Sequence, residues 1–439
     1  MQNNKTVTIV TMGCSKNLVD SEQLLHQFEA IGYNVQHNTE SHKGDIVIVN
    51  TCGFIGDAKE ESIETILEYA NLRKNGDVSK LLVMGCLSER YLKELTEEIP
   101  EVDQFYGKFD WQKVLTDLGE SYNDKLRLER HLTTPSHYAY LKISEGCSRT
   151  CSYCAIPIIT GKHKSRPMEE ILEEVRLLVN QGVKEFQLIA QDLSFYGKDL
   201  YKSLKLPELV EQISLVPGVE WIRLHYTYPH DFPVDLLRVM RERPNVCAYM
   251  DMALQHISDN MLTLMRRHIN RKQTIDLLNL IRLEVPGIHL RTTFMVGHPG
   301  ETEADFNELC EFVKQARFER MGAFIYSEEE GTYAAKHYKD DIPEDIKQSR
   351  LDKLMLIQQG ISEEINTAKI GQVMRVIVDR EEQAYYVGRT EFDSPEVDPE
   401  VFISKEKELN IGQFYNIKIT SAEPYDLFGH LSEFSDNNI

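Results

Sequence analysis

Three cysteines, Cys147, Cys151 and Cys154, follow one another with the spacing C-x3-C-x2-C. One compact loop with this spacing can place three thiolates around a single iron–sulfur cluster, which usually takes four thiolate ligands. Three ligands leave one iron open to a ligand from outside the chain. The alternatives are a zinc site or three buried cysteines that only fill space. Zinc usually takes four ligands in paired C-x2-C modules, and no further Cys or His stands at such a spacing nearby.

Another three cysteines, Cys14, Cys52 and Cys86, are spread along the first part of the chain. Each comes just past the end of a predicted apolar strand and lies next to a glycine. The carboxyl ends of parallel strands meet at one edge of a sheet, where open α/β sheets bind their ligands. The alternative is three unrelated buried cysteines. We expect a second cluster at this edge, again with one open iron.

Strands and helices alternate within residues 1–120, which predicts an N-terminal α/β domain with a parallel sheet. The predicted strands are 7–11, 45–50 and 80–84, and the predicted helices are 18–30, 58–72 and 88–98. Residues 119–137 interrupt the alternation with turn-forming residues. They are predicted to connect this domain to the next.

Residues 138–363 repeat a strand followed by a helix six times, which predicts a partial (β/α)6 barrel. Functional loops of such barrels lie at the carboxyl ends of the strands, and the Cys147 loop follows the first strand. The predicted strands are 138–144, 184–192, 219–227, 247–256, 287–297 and 320–327, and the predicted helices are 167–181, 207–215, 234–243, 260–283, 303–316 and 344–361.

Other polar or glycine-rich strand ends should face the same barrel mouth. Their position makes four residues candidates for binding a cofactor or the substrate: Gln191, Gln255, Gly297 and Gly300. For the two glycines the alternative is an ordinary helix start, and for His256 it is a hydrogen-bonded structural histidine. Cys247 and Cys310 lie in apolar surroundings and are predicted to serve only in packing.

Residues 366–437 change to a period of two, which predicts a small β-barrel with strands at 373–378, 384–389 and 414–419. From residue 366 to the end there are 7 Lys or Arg and 14 Asp or Glu, a net charge of −7. A barrel that reads RNA is expected to be basic. The acidic character of this region therefore argues against nucleic-acid binding.

The whole chain of 439 residues carries a net charge of −21. Nucleic acid repels such a protein on average, so a basic protein partner is the easier expectation. No apolar run approaches the roughly 20 residues that span a bilayer, and the first residues lack a signal-peptide layout. The eight cysteines then indicate a reducing compartment and metal or catalytic use. We expect a cytoplasmic protein with no membrane partner.

The Cys147 loop resembles the motif of the radical S-adenosylmethionine (SAM) superfamily, and the plan of the whole chain resembles the methylthiotransferase family. This second resemblance rests on the two cysteine sets and on the terminal barrel, which looks like the family's TRAM domain. The segments 142–147, 254–261, 388–390 and 393–398 look most like the branch that modifies small-subunit ribosomal protein S-twelve.

The resemblance implies two 4Fe-4S clusters and SAM. Cys147, Cys151 and Cys154 would hold the catalytic cluster, and Cys14, Cys52 and Cys86 the one that presents sulfur. It further implies β-methylthiolation of one aspartate of S-twelve. The carbon concerned bears an unactivated C–H bond, which a cofactor radical can break and an ordinary base cannot. An electron donor such as flavodoxin or ferredoxin is also implied.

Two other functions stay open at this point. The first is a tRNA adenosine methylthiotransferase, which applies the same chemistry to nucleic acid and against which the acidic barrel argues. The second is a non-enzymatic iron–sulfur carrier or electron-transfer protein. Such a protein would not need a SAM site at the barrel mouth.

Overall fold

The first unit is an open parallel sheet with helices on both faces. The computed structural model describes residues 5–39 and 44–432. The elements of this unit are β1 (Thr6–Thr11), α1 (Ser15–Ala30), β2 (Asn34–His37), β3 (Gly44–Thr51), α2 (Gly56–Asn75), β4 (Val78–Gly85), α3 (Cys86–Glu98), β5 (Gln104–Phe105) and α4 (Trp111–Asp117). The strand order is β2-β1-β3-β4-β5, with parallel neighbours.

Apolar side chains on both faces of this sheet explain its layers. Val47, Val49 and Val83 pack against α2 and α3, whereas Ile9 and Ile48 pack against α1 and α4. A strand that is buried on both faces reads as a continuous apolar run, so β1, β3 and β4 and the helices α1, α2 and α3 were predictable. These six predictions are confirmed; β3, α2 and β4 extend slightly at both ends, and β1, α1 and α3 only at the amino end.

The second unit is a curled, six-stranded parallel sheet with helices outside. Its elements are β6 (Tyr138–Lys142), β7 (Ser144–Glu145), α5 (Ile156–Thr160), β8 (Lys164–Ser165), α6 (Met168–Asn180), β9 (Glu185–Ile189), α7 (Leu206–Ser214), β10 (Trp221–Thr227), α8 (Asp235–Glu242), β11 (Val246–Met252), α9 (Asp259–Leu264), α10 (Arg271–Glu284), β12 (His289–Val296), α11 (Glu303–Ala316), β13 (Arg320–Ile325), α12 (Tyr333–His337) and α13 (Glu344–Thr367). The sheet order β13-β12-β11-β10-β9-β6 follows the sequence, as in a partial (β/α)6 barrel.

The predicted helix 260–283 is wrong as a single helix. The chain forms α9 and α10 with a break between them, where Arg266 and His268 have left-handed φ angles of 55° and 56°. Asn270 then caps α10 by accepting a hydrogen bond from the Gln273 N–H, in a capping box. The apolar spacing continues across the break, so periodicity alone could not reveal it.

The residues between the first two units are packed. A short 3₁₀ helix covers Asp124–Leu126. Arg130 is fully buried, with its guanidinium 3.3 Å from the Glu22 carboxylate of α1 and 3.2 Å from the Glu174 carboxylate of α6. The predicted connector therefore also ties the two units together.

The third unit is a closed barrel in the order β14-β15-β16-β18-β17. Its strands are β14 (Val373–Glu381), β15 (Tyr385–Thr390), β16 (Val401–Ser404), β17 (Phe414–Ala422) and β18 (Leu427–Leu431). It docks on the amino ends of the barrel strands, where Arg389 pairs with Glu185 at the start of β9 and Asp393 pairs with Arg320 at the start of β13. This leaves the carboxyl ends of those strands to the cysteine loop. Within the described ranges, no helix combines the length and apolar character that a membrane span requires.

Candidate active site

The first three cysteines lie together at the carboxyl edge of the first sheet. Cys14 precedes α1, Cys52 follows β3, and Cys86 begins α3. A side-chain carbon at Gly13 would lie 2.8 Å from the Cys52 sulfur, and one at Gly53 would lie 2.8 Å from the Cys86 carbonyl carbon. The segments that carry the cysteines therefore touch, and glycine permits the approach. We call Cys14, Cys52 and Cys86 the first triad.

The surroundings of the first triad shift the pKa values of its three thiols in different directions. Burial raises the pKa of the Cys52 thiol, and burial with the charges of Cys14 and Cys52 raises the pKa of Cys86 to about 12. At Cys14, desolvation by neighbouring groups is outweighed by the charges of Lys16 and Lys108, so its pKa lies below the ordinary value. Such thiols lose their protons when a metal binds. The donor set fits an iron–sulfur cluster.

The other three cysteines lie on the loop between β7 and α5, just past the carboxyl end of β6. We call Cys147, Cys151 and Cys154 the second triad. The Cys147 sulfur accepts a hydrogen bond from the backbone N–H of Arg149 at 3.4 Å. Burial raises the pKa of Cys147 to about 12 and also raises that of Cys154, and the charge of Cys151 adds to both effects. Three thiolates this close together repel one another, and binding to one shared iron–sulfur core would offset that repulsion.

The cysteine loop is fixed by contacts to three other segments at the barrel mouth. The backbone N–H of Ser152 donates to the Met265 carbonyl at 3.0 Å, and the Ser152 carbonyl accepts from the Ala334 N–H at 2.7 Å. The Ser152 hydroxyl lies 3.2 Å from Nε2 of the buried His298. The loop is therefore held in place by the protein itself.

A buried polar network begins beside the first triad. The Cys86 sulfur lies 3.7 Å from Oδ1 of Asn17, and Nζ of Lys108 donates to the same oxygen at 3.2 Å. Lys108 also pairs with Asp20 at 3.3 Å. Desolvation opposes the charge of Lys108, but Asp20 and Glu145 outweigh it and raise the pKa of this ammonium.

The same network continues into the loop of the second triad. Lys142 of the barrel pairs with Asp20 of α1, and its Nζ lies 3.0 Å from Oε2 of Glu145. Glu145 stands two residues before Cys147 and accepts a hydrogen bond from the Gln191 amide at 2.5 Å. We call this chain the bridging network: Asn17, Asp20, Lys108, Lys142, Glu145 and Gln191. The two triads therefore stand at the two ends of one connected interface.

The two glutamine candidates carry unsatisfied acceptors. The side-chain carbonyl oxygens of Gln191 and Gln255 are buried and have no hydrogen-bond partner within the described residues. Oδ1 of Asp192, beside Gln191, is in the same state. Buried polar atoms are normally paired, so a ligand with N–H or O–H donors, such as SAM, fits this mouth.

The two glycine candidates form the turn between β12 and α11. A side-chain carbon would lie 2.4 Å from Lys347 at Gly297 and 2.7 Å from Leu264 at Gly300. The backbone N–H of Gly297 donates to the Glu301 carboxylate at 2.7 Å. Protein contacts thus account for both glycines, and their role in SAM binding stays a prediction.

Three other residues discussed in the sequence analysis, His256, Cys247 and Cys310, have contacts that indicate a role in packing or hydrogen bonding. His256 is buried and lies 3.0 Å from the Glu301 carboxylate, as the structural alternative expects. Cys247 packs with Trp221 and Tyr249, and Cys310 lies in the barrel core.

Sequence reasoning missed most of the bridging network. Asn17 and Asp20 follow Cys14 at intervals of three residues, a helical spacing that could have pointed to them. Lys108 follows the two-residue strand β5, which has no periodic signal.

Within the described ranges, no three His, Cys, Asp or Glu side chains surround one point closely enough to hold a single metal ion. In an iron–sulfur cluster each thiolate binds its own iron.

Family models match each of the three units. Residues 6–107 match "Uncharacterized protein family UPF0004", residues 141–313 match the radical SAM superfamily, and residues 370–431 match the TRAM domain. Among solved structures, the radical SAM methyltransferase TsrM from Kitasatospora setae superimposes with a TM-score of 0.55 at 13% identity, covering 73% of this chain and 72% of that chain. The radical SAM enzyme OxsB superimposes with a TM-score of 0.53 at 14% identity, over 82% and 56% of the two chains.

The fold and the site thus define a radical SAM enzyme with an added N-terminal α/β domain and a C-terminal TRAM barrel. The chain is 67% identical over 428 residues to the ribosomal protein uS12 methylthiotransferase RimO of Bacteroides thetaiotaomicron, covering 97% of this chain and 98% of the relative. It is 51% identical to the RimO of Cytophaga hutchinsonii, covering 98% of each. The chain belongs to the family of ribosomal protein uS12 methylthiotransferases.

Proposed function

We propose that this chain attaches a methylthio group to the β-carbon of one aspartate of ribosomal protein uS12. The observation that carries the proposal is the connected interface between the two triads, in a chain whose close relatives bear this activity in their names. Each triad supplies three thiolates, which leaves one iron of a four-iron cluster open. The two 4Fe-4S clusters and SAM supply, when bound, the radical, the sulfur and the methyl group.

In this proposal the protein positions those groups. Cys147, Cys151 and Cys154 hold the catalytic cluster, and Cys14, Cys52 and Cys86 hold the cluster that presents sulfur. Gln191, Gln255, Gly297 and Gly300 border SAM at the barrel mouth, where the unpaired oxygens of the two glutamines accept hydrogen bonds from it. The bridging network holds the two triads in place, because its Lys108–Asp20 pair is buried and its Lys142–Glu145 pair is largely shielded from solvent.

The proposal divides the chain into three working domains. Residues 1–120 form the methylthiotransferase domain with the first triad, residues 138–363 the radical SAM domain, and residues 366–437 the TRAM domain. The net charge of −21 suits a basic protein substrate and disfavours nucleic acid. An enzyme that modifies a ribosomal protein would act in the cytoplasm, and its electron donor would be a protein such as flavodoxin or ferredoxin.

The deciding experiment compares the two substrates of the methylthiotransferase reaction. The reduced, iron-loaded chain is incubated with SAM and either uS12 or tRNA, and peptides and nucleosides are then analysed by mass spectrometry. We expect one methylthio group in place of one hydrogen on a uS12 aspartate. A methylthio group on tRNA adenosine with unmodified uS12 would contradict the proposal. Absence of 5′-deoxyadenosine would favour the iron–sulfur carrier.

A further inference from the structure

Arg267 is a buried cation directed at a sulfur of the second triad. Its Nη1 donates hydrogen bonds to the Cys151 sulfur at 3.3 Å and to the Tyr153 hydroxyl at 3.1 Å, and its Nη2 donates to the Ala253 carbonyl. The guanidinium lies 4.1 Å from the centre of the Tyr228 ring. Arg267 is only 2% exposed. It stands in the break between α9 and α10, so the irregular backbone places this side chain.

No carboxylate in the described part of the chain pairs with Arg267. This sets it apart from Arg130, which contacts Glu22 and Glu174, and from Arg389, which pairs with Glu185 and Asp379. A guanidinium keeps its charge in proteins, and a buried charge without an anion is strongly unfavourable. The Cys151 sulfur lies within its reach, and this residue would be a thiolate as a ligand of a cluster.

We infer that Arg267 balances the negative charge of the Cys151 thiolate and of its cluster and thereby raises the reduction potential of that cluster. The inference rests on the proposed function only in taking Cys151 as a cluster ligand. Each added electron increases the negative charge, so a nearby buried cation and an N–H···S hydrogen bond favour the reduced cluster. Tyr228 contributes less, because its hydroxyl lies 3.6 Å from the same sulfur and donates to the Arg267 carbonyl at 3.0 Å.

An EPR-monitored redox titration tests this role. The full chain is used with Ala at Cys14, Cys52 and Cys86, so that only the second cluster is reduced. We expect Arg267→Gln to lower the ratio of reduced to oxidised cluster at a fixed potential by about tenfold or more, equivalent to about 59 mV for a one-electron couple. Arg267→Lys should retain most of the potential. Arg266→Gln is the matched control, since Arg266 stacks on Tyr333 at 4.4 Å and should leave the potential unchanged.

An unchanged potential in iron-loaded Arg267→Gln would overturn the inference. So would a loss of SAM affinity at constant potential, which would make Arg267 a SAM ligand instead. If the variants fail to bind iron, pulsed EPR is applied to the chain with Arg267 intact and with isotope-labelled arginine. We expect the guanidinium nitrogen to couple to the electron spin of the reduced cluster through the N–H···S bond, and absence of this coupling would contradict the inference. None of these readouts depends on whether uS12 is modified.

A different observation concerns Lys16 in the first turn of α1, two residues after Cys14. Lys16 is 8% exposed, and its Nζ lies 3.8 Å from the centre of the Tyr226 ring at the end of β10. The side chain therefore reaches from the first domain to the barrel mouth. An aromatic face attracts a cation but carries no net charge to neutralise it.

The two other lysines of this interface have carboxylate partners. Lys108 pairs with Asp20, and Lys142 pairs with Asp20 and Glu145. Lys16 has no carboxylate partner within the described ranges. The charge of Lys16 acts on the Cys14 thiol and, at longer range, on the buried Asp251. No carboxylate of the described residues lies at ion-pair distance from it, so a carboxylate from outside the chain can still pair with this cation.

We infer that Lys16 binds the side-chain carboxylate of the substrate aspartate. This rests on the proposed function, and the two can fail separately. A carboxylate held there would place the neighbouring β-carbon between Cys14 and the barrel mouth. Lys16 would then contribute to the preference for aspartate over neutral side chains.

Steady-state kinetics with uS12 tests this assignment. We expect Lys16→Gln to raise the KM for uS12 about tenfold or more, with unchanged iron content and unchanged 5′-deoxyadenosine formation in the absence of uS12. Lys16→Arg should recover part of the affinity, and the exposed Lys113→Gln should behave as the unaltered chain. A uS12 variant with Asn at the modified position should bind the unaltered enzyme about tenfold more weakly than uS12 with Asp there. The Lys16→Gln enzyme should bind the Asn and Asp forms equally well.

An unchanged KM in Lys16→Gln would overturn the assignment of Lys16 alone. Loss of iron from the first triad in this variant would also overturn it, because Lys16 would then balance the cluster. Failure of the unaltered enzyme to modify uS12 would instead contradict the proposed function.

Discussion

The two triads differ in how a sequence can reveal them. Cys147, Cys151 and Cys154 lie on one loop, so their spacing alone predicts a shared ligand. Cys14, Cys52 and Cys86 are far apart in the chain, and only the rule that parallel strands end at one edge brings them together. The bridging network could not be predicted in this way, because Asp20 meets Lys108 and Lys142 from different units. Such contacts depend on how the units dock.

Replacing cysteines of one triad at a time should affect two different activities. We expect Cys151→Ala to abolish 5′-deoxyadenosine formation, because it removes a ligand from the catalytic cluster. Cys52→Ala should retain most 5′-deoxyadenosine formation and lose methylthio transfer. Chromatography of the reduced, SAM-treated variants measures both products. The buried Cys310→Ala, which lies in the barrel core, serves as the control and should retain both activities. Equal loss of 5′-deoxyadenosine in Cys151→Ala and Cys52→Ala would contradict this division.

At the level of elements, buried strands and amphipathic helices were predictable, whereas pairing-dependent strands were not. The short strands β2, β5, β16 and β18 carry few residues and take their places only through neighbours in the sheet or barrel. The break between α9 and α10 was missed because the apolar pattern runs across it. That break positions Arg267 against the Cys151 sulfur, so a backbone feature that the pattern did not reveal contributes to the site.

The junction between β9 and the terminal barrel depends on one buried carboxylate. Glu185 lies 3.0 Å from Arg223 and 2.8 Å from Arg389, and all three side chains are buried. Glu185→Gln leaves two guanidinium groups without their shared anion. We expect the free energy of unfolding, measured by urea denaturation, to fall by about 3–5 kcal/mol.

The same junction offers a matched control. Glu220 pairs with Arg375 at 2.8 Å, but both side chains are nearly half exposed. Glu220→Gln should therefore change the free energy of unfolding by less than about 1 kcal/mol. If the two substitutions lower the free energy of unfolding equally, the buried ion pairs contribute no more to stability than the exposed pair.

At the scale of the molecule, three of the four segments that carry the family resemblance also hold the units together. Segment 142–147 contains Lys142 and Glu145 of the bridging network, and segment 388–390 contains the buried Arg389. Segment 393–398 contacts the radical SAM barrel, where Asp393 pairs with Arg320 and Asp398 pairs with Arg291. Three units docked in this way place both triads at one interface and keep the TRAM barrel at the opposite end.

This docking should weaken in acid. Burial opposes the charge of Asp379, but Arg389 and His137 outweigh it and lower its pKa to about 2. A carboxyl whose pKa is lowered by folding stabilises the fold above its ordinary pKa and loses that contribution as the pH falls through the folded value. We expect about 2 kcal/mol of the free energy of unfolding to be lost between roughly pH 4 and pH 2 from this group. Urea denaturation at a series of pH values measures the loss.

Asp379→Asn supplies the control for the acid prediction. The variant should be less stable at neutral pH, because Arg389 loses an anionic partner at 2.6 Å. Its further loss of stability in acid should be smaller than that of the unaltered chain. An identical acid profile would mean that Asp379 does not report the docking of the TRAM barrel.

The iron content of the anaerobically purified chain tests the central claim most directly. Two triads that each hold a four-iron cluster predict about eight irons per chain. Alanine at Cys14, Cys52 and Cys86 should reduce the content to about four, and so should alanine at Cys147, Cys151 and Cys154. About four irons in the unaltered chain, all lost on replacing the second triad, would contradict the two-cluster account.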